Sequence, residues 1–208
     1  LRIQGTWEEF LASKGHSSRK RIKKVERKIP RNCKWKVVCY NNPQQNAIIQ
    51  KIESVERTSW KEQYRRATKR TDASLYRMIR GSMNVAKTEP DFQWRVYFLE
   101  LNGEPISYVL VTEYRGNVIF AKTSYNQKYE KITPGLYVMN YAIREIFDEG
   151  KTSTIDFLTR LRFHRTWTTA YLLRVNVLIS RMKVLTILTA FLMEKGITRR
   201  ILSHLLEW

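Results

Sequence analysis

Glycine is scarce and dispersed, with eight in 208 residues and no two grouped. Neither a G-x-x-x-x-G-K-[ST] loop nor a G-x-G-x-x-G turn can be built from them, which excludes P-loop and Rossmann nucleotide binding. Cysteine numbers two, Cys33 and Cys39, and no second Cys or His group accompanies them. A four-ligand zinc site cannot be assembled, so no metal is expected; the thiols read as reduced and buried in a cytosolic protein. No Gly-x-Ser-x-Gly elbow exists and neither Cys lies near a His, so serine or cysteine hydrolase chemistry has no support. Long apolar runs are missing too, the longest near the end (184–193) being about half a bilayer span. No signal peptide is visible. The expected location is cytoplasmic, at most peripheral to the inner face of the membrane. The chain starts at Leu1 without an initiator methionine, so it reads as the C-terminal part of something longer.

Acids are outnumbered two to one: 38 Lys and Arg against 19 Asp and Glu leave a formal charge of +19. That exceeds what solubility needs and points to polyanionic partners such as nucleic acid, a nucleotide cofactor or an anionic membrane. What is abundant is core material, 43% apolar and 12% aromatic, enough for one domain.

Thr6 followed by Glu8 and Glu9 marks a helix start running to about Ser13. Residues 14–36 hold eleven basic residues and one acid. Ser17 or Ser18 serves as cap, and Ile22, Val25 and Ile29 form a narrow stripe, so this is a helix with a basic exposed side, ended by Pro30. A strand follows over 34–40, then a turn at Asn41-Asn42-Pro43 and helices to about Glu56 and over 72–86, the latter with Leu75, Met78 and Ile79 inward. Residues 92–101, 106–114 and 118–124 are strands of an antiparallel meander, separated by Asn102-Gly103-Glu104-Pro105 and Arg115-Gly116-Asn117. Pro134-Gly135 opens a helix carrying Leu136, Met139, Ile143 and Phe147 that ends at Gly150. Short strands over 155–158 and 171–179 and helices over 181–194 and 198–207 complete the chain. The fold class is α/β (α+β): a mixed, mostly antiparallel sheet flanked by helices. One domain spans 1–208, with a basic helical lead-in (1–90), a sheet core (91–180) and a helical tail (181–208).

Residues 125–136 join a meander strand to a helix N-terminus, where unpaired N–H groups and the dipole favour an anion, with Lys128 and Lys131 just upstream. An ordinary proline-started helix is the plainer alternative. This element order, with Leu-Asn-Gly-Glu-Pro-Ile-Ser in the meander, Tyr125 and Tyr129, Pro134-Gly135-Leu136, Gly150, and Ile155-Asp156-Phe157-Leu158 before an aromatic and basic stretch, resembles the GNAT acyltransferase fold. Within it the chain is similar to the CelD/BcsL-type acetyltransferases, named for cellulose biosynthesis and related to the Fem-type peptidoglycan aminoacyltransferases. The lead-in of Phe10-Leu11, the basic run 17–21 and Trp60 are similar to that family's as well.

The resemblance implies an acyltransferase using acetyl-CoA or a longer acyl-CoA. The helix start at Thr133, Pro134, Gly135 and Leu136, with Lys131, would receive the pyrophosphate, and the splayed strands would hold the pantetheine arm. Arg160 stands where the family has a glycine, followed by His164, Arg165 and Trp167. Arg160 and Arg165 would frame the donor phosphates or the acceptor; the bulky cation could also mark a copy that no longer catalyses. Tyr125, Asp156 and His164 are the polar candidates near the reacting carbonyl. Asp156 either deprotonates an amine nucleophile or anchors the following loop through backbone N–H groups, and anchoring is favoured. His164, between Arg162 and Arg165, is a base or a surface phosphate contact.

Trp60, Tyr64 and Arg65 sit in an aromatic and basic cluster suited to substrate or nucleic acid, though Trp60 also suits a core. Expected acceptors are a sugar, an amino acid or an envelope precursor. A tRNA donor of Fem type, an acidic acyl carrier protein or an anionic membrane would also use the basic patches. A catalytically degenerate fold serving as a nucleic-acid or partner-binding module is the alternative from a non-enzyme class.

Overall fold

The computed structural model describes residues 1–29, 33–59, 61–62, 73–158 and 162–170, all inside a unit spanning Leu1–Ala170. The strand expected over 171–179 and the two tail helices lie outside the described residues. Helix α1 (Trp7–Ser13) begins with a reciprocal cap: Thr6 Oγ1 accepts from the Glu9 N–H at 3.2 Å, and Glu9 Oε2 accepts from the Thr6 N–H at 2.7 Å. Two orphan donors are thereby satisfied at once. Helix α2 (His16–Arg27) starts after Gly15 without a side-chain cap, not at Ser17 or Ser18. Its cations at Arg19 and Lys23, Lys20 and Lys24, and Lys23 and Arg27 are four apart and repel, each such pair costing about 0.2–0.5 kcal/mol. The helix stands on the burial of Ile22 and Val25 instead.

Strands β1 (Trp35–Asn41), β2 (Phe92–Leu101), β3 (Glu104–Tyr114), β4 (Asn117–Tyr125) and β5 (Thr154–Asp156) lie side by side in that order. The first four are antiparallel, and β5 joins β4 in parallel. The meander turns use Asn102-Gly103 and Arg115-Gly116, each with positive φ at both residues, the turn geometry that matches strand twist. Helices α3 (Asn46–Arg57) and α4 (Ala73–Thr88) connect β1 to β2, and α5 (Pro134–Glu149) is the crossover between β4 and β5. A 3₁₀ helix, Gln127–Ile132, occupies the segment before α5 that the sequence read as a connection.

Alternation along the strands divides the core. Trp94, Val96, Phe98, Tyr108 and Leu110 pack with Ile48, Ile52 and Ile79 of α3 and α4. Tyr97, Leu99, Val109, Val111, Val118 and Phe120 pack with α1, α2 and α5. Neither cysteine is in a disulfide and both are half-buried rather than buried, and burial pushes the Cys39 thiol up to about 11, with the Glu145 charge adding to it. No described helix is long and apolar enough to cross a membrane.

Candidate active site

Strands β4 and β5 share only the pairs Asn117 with Thr154, Val118 with Ile155 and Ile119 with Asp156, and then part. The sequence extended β5 to Leu158, but the strand stops at Asp156. There Asp156 Oδ1 accepts the Leu158 N–H at 2.8 Å and Leu158 takes φ 57°. That side chain to backbone bond competes with the ladder and turns the chain outward. β4 continues to Tyr125, bulged at Ala121 where the register with β3 shifts. Its edge beyond Ile119 has no strand partner among the described residues. Between the separating strands lies a cleft of about 540 Å³, a size suited to a small-molecule site.

The start of α5 forms one wall. Pro134 at its first turn has no N–H, while Leu136 and Tyr137 both donate to the Thr133 carbonyl, at 3.1 and 3.2 Å. The Gly135 N–H is the remaining donor of that turn. Thr133 occupies the cap position in left-handed geometry (φ 52°, ψ 52°) and makes no capping bond. Its buried Oγ1 has no partner among the described residues, and neither does the buried Oγ of Ser124, another lining residue. Left-handed geometry costs a β-branched residue on the order of 1–2 kcal/mol, and each unmet buried hydroxyl about 1–3 kcal/mol. Two of the six buried side-chain polar atoms that lack a partner among the described residues thus belong to the lining of this cleft, beside a left-handed Thr133. A Cβ at Gly135 would lie 3.3 Å from Tyr125 Cδ1, a tight contact to which the ring would have to yield by a few tenths of an ångström. Burial, with the Glu130 charge adding to it, pushes the Tyr125 phenol above its ordinary value.

The facing wall is aromatic. His164 is buried, stacked on Phe157 with centroids 4.7 Å apart and met edge-on by Phe163 at 4.3 Å. Behind them Trp167 Nε1 donates to Asn140 Oδ1 at 3.2 Å, and Asn140 Nδ2 donates to Glu26 Oε1 at 3.0 Å. This chain fastens the 3₁₀ turn Arg162–Thr166 to α5 and α2. Toward α3, Lys61 Nζ donates to the Thr123 carbonyl at 2.7 Å, and Lys122 Nζ lies 3.8 Å from Glu56 Oε1. Glu56 is buried and accepts from Tyr108 OH at 2.5 Å.

Of the residues singled out from sequence, Tyr125, Thr133, Gly135, Leu136 and His164 converge on the cleft. Asp156 stands at its edge in the anchoring contact with Leu158. Pro134 is buried in the helix start, Lys131 and Arg165 are exposed and do not line the cleft, and Trp167 is 2% exposed in the core behind it. Trp60, Tyr64, Arg65 and Arg160 lie outside the described residues. Sequence reasoning places Lys61 only in the aromatic and basic cluster around Trp60 and misses Lys122, Thr123 and Ser124. Period-two alternation back from Tyr125 would have put Thr123 on the same face; the others carry no local signal. Among the described residues no group of three or more His, Cys, Asp or Glu is arranged to hold a metal ion.

Val109, Phe120 and Met139 give the cleft an apolar stretch beside the backbone edge of β4 and the start of α5, with room for a long, flexible small molecule. No curated protein matches the chain in sequence. Among solved structures, the chain is similar to an aminoglycoside N-acetyltransferase, AAC(6')-Iy, in complex with CoA, with a TM-score of 0.48 and 8% identity over 74% of this chain and 99% of that one. The model of the family described as acetyltransferase (GNAT) domain matches residues 16–165, the greater part of the sequence. The chain therefore belongs to the acetyltransferase (GNAT) domain family and is an acyltransferase enzyme.

Proposed function

We propose that the protein transfers an acyl group directly from acyl-CoA, acetyl-CoA or a longer homologue, to an amine or hydroxyl acceptor. The observation that carries this reading is the uncapped start of α5, where Thr133, strained and with an unpartnered hydroxyl, and Gly135, whose N–H is unused in the helix, both line the cleft. A bound pyrophosphate or pantetheine oxygen would meet both donors, aided by the helix dipole. The open edge of β4 supplies backbone groups for the amides of the pantetheine arm and an N–H to polarise the thioester carbonyl.

In this reading Thr133, Gly135 and Leu136 orient the donor, with Pro134 setting the helix start and Lys131, Arg160 and Arg165 lending positive charge at the phosphate end. Tyr125, a neutral phenol like any tyrosine at neutral pH, donates a hydrogen bond to the departing sulfur. Asp156 holds the Leu158 turn, and His164 on the facing wall takes the acceptor's proton. The acceptor nitrogen or oxygen bonds to the acyl carbon, the C–S bond breaks, and the proton released by the acceptor ends on the thiolate. Trp60, Tyr64 and Arg65 are assigned to the acceptor side, and Trp167 supports the wall through Asn140. The resemblance to the CelD/BcsL-type branch supports a sugar, an amino acid or an envelope precursor as acceptor, and a CoA donor supports a cytoplasmic site.

Calorimetric titration tests this with acetyl-CoA and a longer acyl-CoA, using adenosine 3′,5′-bisphosphate and a short RNA as polyanion controls. Saturable binding of the thioesters, tighter than the bisphosphate, is expected. Binding of RNA alone, or of every polyanion equally and lost with salt, would overturn it in favour of a tRNA-dependent transferase or a non-catalytic binding module.

A further inference from the structure

Helix α2 carries a row of cations that nothing in the described structure balances. Ile22 and Val25 are buried toward α5. At about 100° per residue this turns Lys20, Lys23, Lys24 and Arg27 to the opposite side, and all four are exposed. None of them forms an ion pair among the described residues, and Glu26, the one carboxylate of the helix, is engaged by Asn140. The first turn holds no carboxylate to answer the dipole, and no side chain caps the start. The arrangement sacrifices helix stability for a continuous positive face.

Its position is as telling as its charge. α2 packs on both α5 and the Arg162–Thr166 turn, the elements that wall the cleft. Arg21 and Leu136 line one small gap, and Leu136 also lines the cleft itself. A partner on the basic face of α2 therefore lies about one helix diameter, roughly 10 Å, from the elements that wall the cleft, within reach of a long flexible arm. A lipid surface is disfavoured because the apolar stripe of α2 is already used on α5, leaving nothing to enter the acyl region. Single-stranded RNA is disfavoured because α2 has no aromatic residue on which bases could stack. An acidic protein helix needs only complementary charge along roughly 18 Å, the length of α2 at 1.5 Å per residue.

We infer that the basic face of α2 docks an acidic carrier protein that bears the acyl donor as a thioester on a phosphopantetheine arm, the arm entering the adjoining cleft. The inference rests on the acyltransferase reading of that cleft. The acceptor amine bonds to the acyl carbon as the C–S bond to the arm breaks; its proton goes to sulfur, and the carrier leaves as the free thiol.

The test is binding of a type II acyl carrier protein in acetylated and armless apo forms, and of acetyl-CoA, to the unaltered chain and to the Lys20→Glu/Lys24→Glu variant. A 20-base-pair RNA duplex and phosphatidylglycerol vesicles are run at the same salt. Both carrier forms are expected to bind the unaltered chain, the acetylated one more tightly, and to lose at least tenfold in the variant. Acetyl-CoA affinity should change less than twofold, and the melting temperature should hold or rise, since each new Glu gains a cation three residues on. Carrier that fails to bind the unaltered chain, carrier that binds both proteins equally, or duplex or vesicles that bind more tightly than carrier would each overturn the inference. Absence of acetyl-CoA binding alone would count against the cleft reading, since the armless carrier measures α2 by itself.

Discussion

The two ends of α5 are finished in opposite ways. At its C-terminus the chain closes through Gly150 in left-handed geometry, whose N–H reaches the Phe147 carbonyl at 3.1 Å. Glu145, Asp148 and Glu149 crowd that end with no basic residue in the last turn, against the preference of the dipole. The missing cation comes from the sheet: buried Arg95 donates to Glu149 at 2.5 Å, to Glu113 at 2.7 Å and to Tyr97 OH at 3.1 Å. At the N-terminus nothing compensates. Thr133 is strained, two buried hydroxyls lack partners, and the helix opens on a cleft. The same helix is tied to the sheet by ion pairs at one end and starts uncapped at the other; the ion pairs and the glycine cap tell the two apart, since Arg95 Nε at the closed end also lacks a partner among the described residues.

The largest expected effect is at the closed end. Arg95→Met leaves Glu113 and Glu149 without their buried partner and should destabilise by roughly 3–5 kcal/mol in denaturant titration. Donor affinity, measured where the variant is folded, should stay within twofold of normal. At the open end, Gly135→Val drives side-chain carbon against Tyr125 and crowds the phosphate position, and should weaken acetyl-CoA binding by about tenfold or more. Thr133→Gly sharpens the contrast by separating stability from binding. Relief of left-handed strain should raise stability by up to about 1 kcal/mol, while loss of one hydroxyl weakens the donor by about 2–10-fold.

The smallest effect is electrostatic. Burial, and then the Glu149 charge, raise the Glu145 carboxyl above its ordinary value. The native state therefore holds that proton more tightly than the unfolded chain does. The stability it contributes is present below the ordinary carboxylate range and is lost as pH rises through the raised value. Glu145→Gln should raise the melting temperature at pH 7, and the gain should vanish by pH 4; a gain unchanged between the two would remove the charge explanation.

Much of this fold could be read from local pattern. The strand expected over 92–101 is β2, and Pro134 and Gly150 bound α5 because proline and glycine act through their own backbones. The start of α2 was misplaced because serine preference at a cap is outweighed where the helix is fixed by burial of Ile22 and Val25. The candidate site was half legible. The segment around Thr133 to Leu136 announces a helix start, but the parting of β4 from β5 depends on Asp156 capturing the Leu158 N–H, and the place of Lys122 and Ser124 at the cleft on a bulge at Ala121. Those are tertiary events, with no period or motif to betray them.

Amide hydrogen exchange at both ends of α5, with and without saturating acetyl-CoA, tests the account most directly. The Gly135 amide is expected to exchange rapidly in the free protein and to be protected on binding, with the amides of Phe147 to Gly150 unchanged. Protection confined to the C-terminal end, or binding that leaves exchange at Gly135 as fast as before, would contradict it.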